Sequence, residues 1–401
     1  MHKRLPIVLL ILLLASAVLA LPQDELFRPT PMPDRIVLTW NDNPSTSQAV
    51  TWRTDTSVAK AVAQIAAADP GPDLEKKAQT VDAVTSELEV KQWKENYHSA
   101  VFTNLEPDTL YAYRVGDGDN WSEWLQFRTA SAKPKPFSFL YFGDVQNGIR
   151  SLASRVIREA FKSAPNARFL VFGGDLVTDG SDDLLWGEFF GAGGWLYGMT
   201  PMVPAPGNHE YRGGGLTKHW RAQFTLPENG PEGLAEHAYS TDFQGLRIVV
   251  LDTNQVEKQT DWLDKMLSGN PNKWAVVVFH HPVFSVSKGR DSIKIRKALK
   301  LILDKHKVDL VLTGHDHTYA RSGLQDSTVY VTSVCGSKMY ELDREDWMQC
   351  AGENMELFQI IRIDGDKLSY ESRTAAGDLF DSFVLTKQPG KANRLDNRAP
   401  K

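Results

Sequence analysis

The strongest constraint in this chain is a pattern repeated five times: an apolar run that stops abruptly at residues able to bind metal. The runs are FSFLYFGD (137–144), ARFLVFGGD (167–175), MVPAPGNHE (202–210), KWAVVVFHHP (273–282) and VDLVLTGHDH (308–317). Each is short and β-rich, and segments of helical spacing lie between several of them, as in SLASRVIREAFKSA, QTDWLDKMLSG and IKIRKALKLILDKHK. Strands alternating with helices predict an α/β layered domain. In open α/β sheets, sites form beyond the carboxyl ends of strands. Five strand ends would then gather Asp144, Asp175, Asn208, His280, His315 and His317 in one cleft.

Without a cation, so many ionisable groups in one place would repel or desolvate one another. Carboxylate, amide oxygen and imidazole suit first-row divalent ions such as manganese, iron and zinc. The lack of cysteine among the ligands argues against a structural zinc site. Glycine precedes many of them, at Gly143, Gly174, Gly207 and Gly314, where the chain must turn sharply beside a metal or substrate.

The flanking regions have another texture. Residues 33–130 show short β-rich runs, RIVLTW, QAVTWRT, HSAVFTNL, TLYAYRVG and WLQFRT, separated by turn residues. This predicts an all-β sandwich with Trp40, Trp52, Tyr113 and Phe127 in its core. Residues 59–90 read as irregular or inserted, SAKPKP (131–136) as a linker, and residues 387–401 as a flexible tail. The α/β domain is expected over 137–386.

At the N-terminus, Lys3 and Arg4 precede an uncharged run from Leu5 to Pro22 that closes on small residues. This reads as a secretory signal peptide over 1–20 cleaved after Ala20, giving a secreted or periplasmic protein. The alternative is an uncleaved membrane anchor, since the run is near the lower limit for spanning a bilayer. Pro6 and the small residues favour cleavage, after which no stable membrane insertion is expected. Cleavage would take the formal charge from −5 to −7 by removing Lys3 and Arg4. A mildly acidic protein has no general attraction for nucleic acid, so a small phosphorylated partner fits better. Oligomeric state is not legible. The two cysteines, Cys335 and Cys350, could pair in an oxidising compartment or remain separate thiols.

Taken in order, GD (143–144), GGD (173–175), GNHE (207–210), HHP (280–282) and GHDH (314–317) resemble the calcineurin-like metallophosphoesterase superfamily. The preceding β region and the ending GHDHTYAR resemble its purple acid phosphatase branch. TNLEPDTLYAYRVG with WSEWLQFRTA resembles a fibronectin type III-like repeat. The resemblance implies a fibronectin type III-like sandwich followed by a four-layer α/β/β/α domain. It implies two metal ions bridged by Asp175, the first also held by Asp144 and His317, the second by Asn208, His280 and His315. It gives His209 to the phosphoryl group or the leaving oxygen. It further implies hydrolysis of a phosphate ester by a metal-bridging hydroxide, with no serine or cysteine nucleophile.

Two positions depart from the family. The branch's tyrosine, three residues after the bridging aspartate, is Thr178 here, and the histidine that other members carry two residues after the first aspartate is Gln146. Gln146 could ligate through its amide oxygen, or water could complete the shell. Without the tyrosine, two divalent ions are expected and the purple colour is not. A phosphomonoesterase is the preferred reading. A phosphodiesterase on the same centre, or a metal-bearing binding protein without catalysis, are the alternatives.

Other candidates each have a plain reading beside the functional one. Lys288 and Arg290 could hold a substrate phosphate or lie in a solvated loop. Arg321 could orient a ligand or pair with an acid. Glu210 and His281 read as supports behind the ligands. Tyr211 and Trp195 could stack on a substrate or simply pack. His98, His219, His237 and His306 have no motif context and read as structural or exposed.

Overall fold

The structure, a computed structural model, describes residues 23–388 and 390–399. The signal-peptide reading therefore lies outside the described residues. No described helix is long and apolar enough to cross a membrane.

The first region forms eight strands: β1 (Asp34–Thr39), β2 (Gln48–Asp55), β3 (Val62–Ala67), β4 (Gln79–Asp82), β5 (Val84–Glu89), β6 (Lys94–Phe102), β7 (Leu110–Gly116) and β8 (Leu125–Arg128). They make two facing layers, β1-β2-β6-β5 and β4-β3-β7-β8. Trp52, Phe102, Tyr113 and Phe127 fill the space between them, as alternation along the strands requires. The stretch 59–90, expected to be irregular, supplies β3, β4 and β5. Its Ala, Asp and Glu content obscured strands whose exposed faces are polar, such as β5, where only Leu88 is buried.

The second region interleaves strands and helices. β9 (Phe137–Phe142), β10 (Leu170–Phe172) and β11 (Met202–Pro204) run parallel. A small hairpin, β12 (Tyr211–Arg212) and β13 (Gly215–Leu216), follows. β14 (Tyr239–Phe243), β15 (Leu246–Val250), β16 (Trp274–Val278), β17 (Leu310–Thr313), β18 (Tyr319–Ser322), β19 (Val329–Thr332) and β20 (Met348–Gly352) build a second sheet in the order β14-β15-β16-β17-β19-β18-β20. β21 (Leu357–Asp364), β22 (Lys367–Thr374), β23 (Leu379–Thr386) and β24 (Arg394–Asn397) return to the first sheet beside β9. The expected flexible tail is thus partly a strand, since Leu395 pairs with Leu385 and Asp396 with Val384.

The period of two along these strands produces four layers. Ile248, Val250, Val276, Val278, Leu310 and Leu312 face the first sheet. Their neighbours Val249, Val277 and Val311 face outward onto Leu263 and Leu267 of the helix Thr260–Ser268 and Leu299 and Leu303 of the helix Ile293–Lys305. On the far side of the first sheet, Val156 and Ile157 of the helix Ser154–Ser163 and Trp186 and Phe189 of the helix Asp183–Gly193 complete the fourth layer.

The two regions are less separate than their textures suggest. Thr39 of β1 pairs in parallel with Met202 of β11, so one sheet of eleven strands runs from the sandwich into the α/β domain. Trp40, expected in the sandwich core, instead packs on Phe169 and Phe243 of the second region, with ring centroids 5.3 and 5.2 Å away. Cys335 is buried, Cys350 is partly buried, and they form no disulfide.

An ionic cluster is buried at the seam. Arg35 of β1 meets Asp183 through two nitrogens at 2.5 and 2.8 Å. Arg53 of β2 reaches the same carboxylate at 3.2 Å and Glu95 at 2.7 Å. The three side chains Arg35, Arg53 and Asp183 are almost wholly inaccessible to solvent. Removing one partner of such a cluster leaves buried charge uncompensated. Asp183→Ala should therefore cost about 3–5 kcal/mol, read as a lower midpoint in chemical denaturation, whereas an unchanged midpoint would mean that the seam is not held by this carboxylate.

Candidate metal centre

The carboxyl ends of β9, β10 and β11 in one sheet face those of β16 and β17 in the other. The residues after these ends make the site: Asp144, Asp175, Asn208, His280 and His315, with His317 two residues further on. Asp144, Asp175 and His317 form one group of potential ligand atoms within 4.8 Å of one another, and His280, His281 and His315 form another.

Hydrogen bonds on the outer ring nitrogens orient three imidazoles. His280 Nδ1 is 3.0 Å from the Gly173 carbonyl, His317 Nδ1 is 2.8 Å from the Lys338 carbonyl, and His209 Nδ1 is 2.6 Å from the Thr178 carbonyl. A carbonyl only accepts, so each Nδ1 carries a proton and each ring turns its Nε2 inward. His280 Nε2 then lies 3.1 Å from each of Asn208 Oδ1, His315 Nδ1 and Asp175 Oδ2. These atoms, gathered around His280 Nε2 with the Asp175 carboxylate among them, form a cradle for positive charge.

On the other side, the Gln146 amide is 2.8 Å from Asp175 Oδ2 and 3.2 Å from His317 Nε2, and His317 Nε2 is 3.6 Å from Asp144 Oδ1. Asp144 Oδ1 and Gln146 Oε1 are buried without a hydrogen-bond partner among the described residues. Buried acceptors are normally satisfied, so the orphan Asp144 Oδ1 fits a metal ligand; in Gln146 the amide nitrogen faces Asp175 and His317, and its orphan oxygen would ligate only after the amide turns over. Asp175 Oδ2 belongs to both sides.

The electrostatics agree. Burial pushes the Asp144 carboxyl well above its ordinary pKa, and the nearby Asp175 charge adds to this. Burial works to lower the His280 pKa, yet the adjacent Asp175 carboxylate, with Asp144, drives it up to about 10. Burial holds His317 down to about 4 and, with the His280 charge, His281 down to about 3. Burial works to raise the Asp175 pKa, but the neighbouring His280 charge holds it below its ordinary range. One acid that resists ionising, beside a charged carboxylate and a histidine that holds a proton, is what a cation site looks like when protons stand in for the ion.

Backbone geometry concentrates here too. Asp175, His315 and His317 have φ of 51°, 74° and 47°, in the left-handed region. Such conformations cost of order 1–3 kcal/mol each outside glycine and persist where the surroundings over-determine them. Two glycines make room. A Cβ on Gly207 would lie 2.1 Å from Asp175 Oδ1, and one on Gly314 would lie 2.3 Å from Asp144 Oδ2.

Glu210, expected as a support, is the clamp under Asp175. Its carboxylate accepts from the amides of Asp175 (2.9 Å), Leu176 (2.8 Å) and Gly207 (2.7 Å) and is completely buried. His281 also behaves as a support, bonding Thr253 at 2.8 Å while its ring centroid lies 4.3 Å from that of His315.

The basic candidates separate. Arg290 borders the site, 3.2 Å from the His315 carbonyl, with its guanidinium 4.6 Å over the Tyr340 ring. Lys288 points away to exposed Glu341 at 3.1 Å, the solvated-loop alternative. Arg321 is buried against Asp381, with contacts of 2.6 and 3.0 Å, and is unavailable to a substrate. It takes the acid-pairing alternative because the returning strand β23 brings Asp381 beside it. Tyr211 bonds Asp252 rather than offering a free ring. Trp195 lies at the other end of the strands. Tyr340, whose ring is 4.8 Å from that of His317, and Lys338, whose ammonium is 5.2 Å from the Tyr340 ring, went unnoticed, because SKMY carries no pattern of its own.

Comparison with known proteins agrees with this geometry. Residues 33–129 match the family model described as the purple acid phosphatase N-terminal domain, and residues 137–319 match that of the calcineurin-like phosphoesterases. In both regions the chain is thus similar to the purple acid phosphatases, a branch of the calcineurin-like metallophosphoesterases. It is 30% identical over 239 residues to purple acid phosphatase 21 of Arabidopsis thaliana, covering 56% of this chain and 53% of that one. It is 26% identical over 332 residues to acid phosphatase type 7 of Homo sapiens, covering 75% and 73%. The chain thus spans about half the length of the plant relatives it matches. In fold it is similar to a purple acid phosphatase from yellow lupin (Lupinus luteus) seeds, with a TM-score of 0.76 at 17% identity over 89% of this chain and 74% of the other.

Glu210→Ala would remove the acceptor of four buried amides, those of Asp175, Leu176, Val177 and Gly207, at about 1–3 kcal/mol for each one left unsatisfied. The variant should lose stability in thermal unfolding and also bind metal more weakly, and full retention of both would mean that the carboxylate is no clamp.

Proposed function

We propose that this chain hydrolyses phosphate monoesters at a two-metal centre. The observation that carries the reading is Asp175, which has a carboxylate oxygen within 4.8 Å of ligand atoms of Asp144 and His317 on one side and Oδ2 3.1 Å from His280 Nε2 on the other. One carboxylate in contact with both ligand groups is the arrangement a pair of cations needs. In this reading Asp144, Gln146, His317 and Asp175 hold the first ion, and Asp175, Asn208, His280 and His315 hold the second. Bound divalent ions supply Lewis acidity and lower the pKa of a coordinated water to about 7.

The chain's own groups supply the rest. His209 is partly exposed, and its Nε2, with Nδ1 tied to the Thr178 carbonyl, faces the cluster at 3.9 Å from Asp175 Oδ2. In its doubly protonated form an imidazole so held can give its Nε2 proton to the leaving oxygen, an effect typically of 10²–10⁴-fold. Arg290 stands beside His315 and can pair with a phosphoryl oxygen. Thr178 stands where the branch carries its tyrosine, so the loaded protein should lack a visible charge-transfer band. The basic start at Lys3 and Arg4 and the apolar run after it support export with cleavage near Ala20. Sequencing the N-terminus of protein recovered outside the cell should begin at Leu21.

Elemental analysis of the purified protein should find two divalent ions per chain. Asp175→Asn should lose metal together with at least ~10²-fold of the hydrolysis rate, the scale on which removing electrostatic stabilisation acts. A generic monoester should release phosphate while a generic diester does not. Diester cleavage alone would move the assignment to a phosphodiesterase, and a fully loaded protein inert to every ester would overturn it.

A further inference from the structure

A second cavity lies at the opposite ends of the strands that carry the metal ligands. It is a cleft of about 1040 Å³ where the end of the sandwich, at Phe127 and Arg128, meets the start of β9, at Phe137 and Ser138. β9 has six residues, so the cleft and Asp144 are separated by roughly 20 Å at about 3.3 Å per residue. A site between two domains, of this size and with a mixed lining, has the character of a small-molecule pocket.

Its lining is lopsided in charge. Arg128, Arg158, Lys162, Arg168 and Arg362 line it with one acid, Asp364. Beyond the lining, Arg128 reaches Asp108 at 4.0 Å, Lys162 reaches Glu159 at 3.2 Å and Arg362 reaches Glu371 at 2.7 Å. Arg168 is the informative one. Its Nη2 donates to the carbonyls of Arg128 (3.1 Å) and Thr129 (2.9 Å), and it makes no salt bridge among the described residues. Its partial burial lowers its pKa, with the Asp108 carboxylate opposing the shift and Arg128 adding to it. Next to these cations the wall is apolar and open. Trp195 is 62% exposed and Met199 36% exposed, although large apolar side chains on the rest of this domain are mostly buried. The ligand cluster makes no use of either side chain.

We propose that this cleft is a second binding site, distinct from the metal centre, for a small amphipathic anion whose charged head meets the arginines and whose apolar body lies on Trp195 and Met199. The class follows from complementarity. A purely inorganic anion would leave the apolar wall wet, and a neutral apolar molecule would leave Arg168 without a salt bridge.

The probe is 8-anilinonaphthalene-1-sulfonate, added to the intact metal-loaded protein and followed by its own fluorescence. Saturable binding at one site per chain is expected, with blue-shifted emission and equal affinity in Asp175→Asn. The uncharged analogue N-phenyl-1-naphthylamine should bind about tenfold more weakly, a difference of ~1.4 kcal/mol. Trp195 and Arg158 are exposed, so Trp195→Ala and Arg158→Glu should fold, as circular dichroism would verify, and each should weaken sulfonate binding several-fold. Lys162→Glu gives an independent check on charge. The proposal is overturned if sulfonate binding does not saturate at one per chain, if the neutral analogue binds as well, or if these variants bind the sulfonate like the parent.

Discussion

Everything at the metal centre depends on where the Asp175 carboxylate is held. Its Oδ2 touches both ligand groups, and its Oδ1 accepts from the His209 amide at 2.9 Å. Below it, Glu210 collects the amides of Asp175, Leu176 and Gly207 on one carboxylate. The strand end β10 and the turn after β11 are thereby tied into one unit. Burial raises the pKa of Glu210 to about 7, with the Asp175 charge adding to the effect. Two acids this close and this deep are tolerable only where amides and cations answer them. The left-handed φ angles of Asp175, His315 and His317 belong to the same balance, since ligands that must point at a common centre cannot all keep relaxed backbones.

The architecture brings the halves of this site together from different sheets. Asp144, Asp175 and Asn208 come from the first sheet, His280 and His315 from the second. The layer of Val, Ile and Leu side chains between the sheets sets their separation. The strand β19 continues across the gap, where the amides of Cys335 and Gly336 donate to the Asp144 carbonyl at 3.1 and 2.7 Å. The sandwich joins this frame through β1 and β11, so its connection is a continuous sheet together with the Arg35–Arg53–Asp183 cluster. A domain attached in that way is a rigid neighbour of the first sheet.

Most of the site was legible because its signal is local. An apolar run followed by glycine and a ligand states both the strand and the position of the side chain at its end. Asp144, Asp175, Asn208, His280, His315 and His317 all meet as the pattern required. Supports were legible less evenly. Glu210 stood out only because it adjoins GNH, and Lys338 and Tyr340 stood out not at all, since their approach depends on the return of the chain after β19. Arg321 shows the converse: its charge beside GHDH left open whether it orients a ligand or pairs with an acid, and the acid that decides this, Asp381, lies sixty residues on.

The sequence by itself determined the order of elements, the residue types at each strand end and the chemistry those types allow, because alternation, glycine turns and ligand identity are properties of neighbouring residues. Only the tertiary structure decided that the sheet crosses the domain boundary and that Trp40 packs on the second region. It also decided that the end of the chain adds a strand, that the two thiols stay apart, and that the basic cleft opens opposite the metals. Each of these depends on pairings between segments far apart in the chain, whose energies come from surfaces and charges that no short stretch contains.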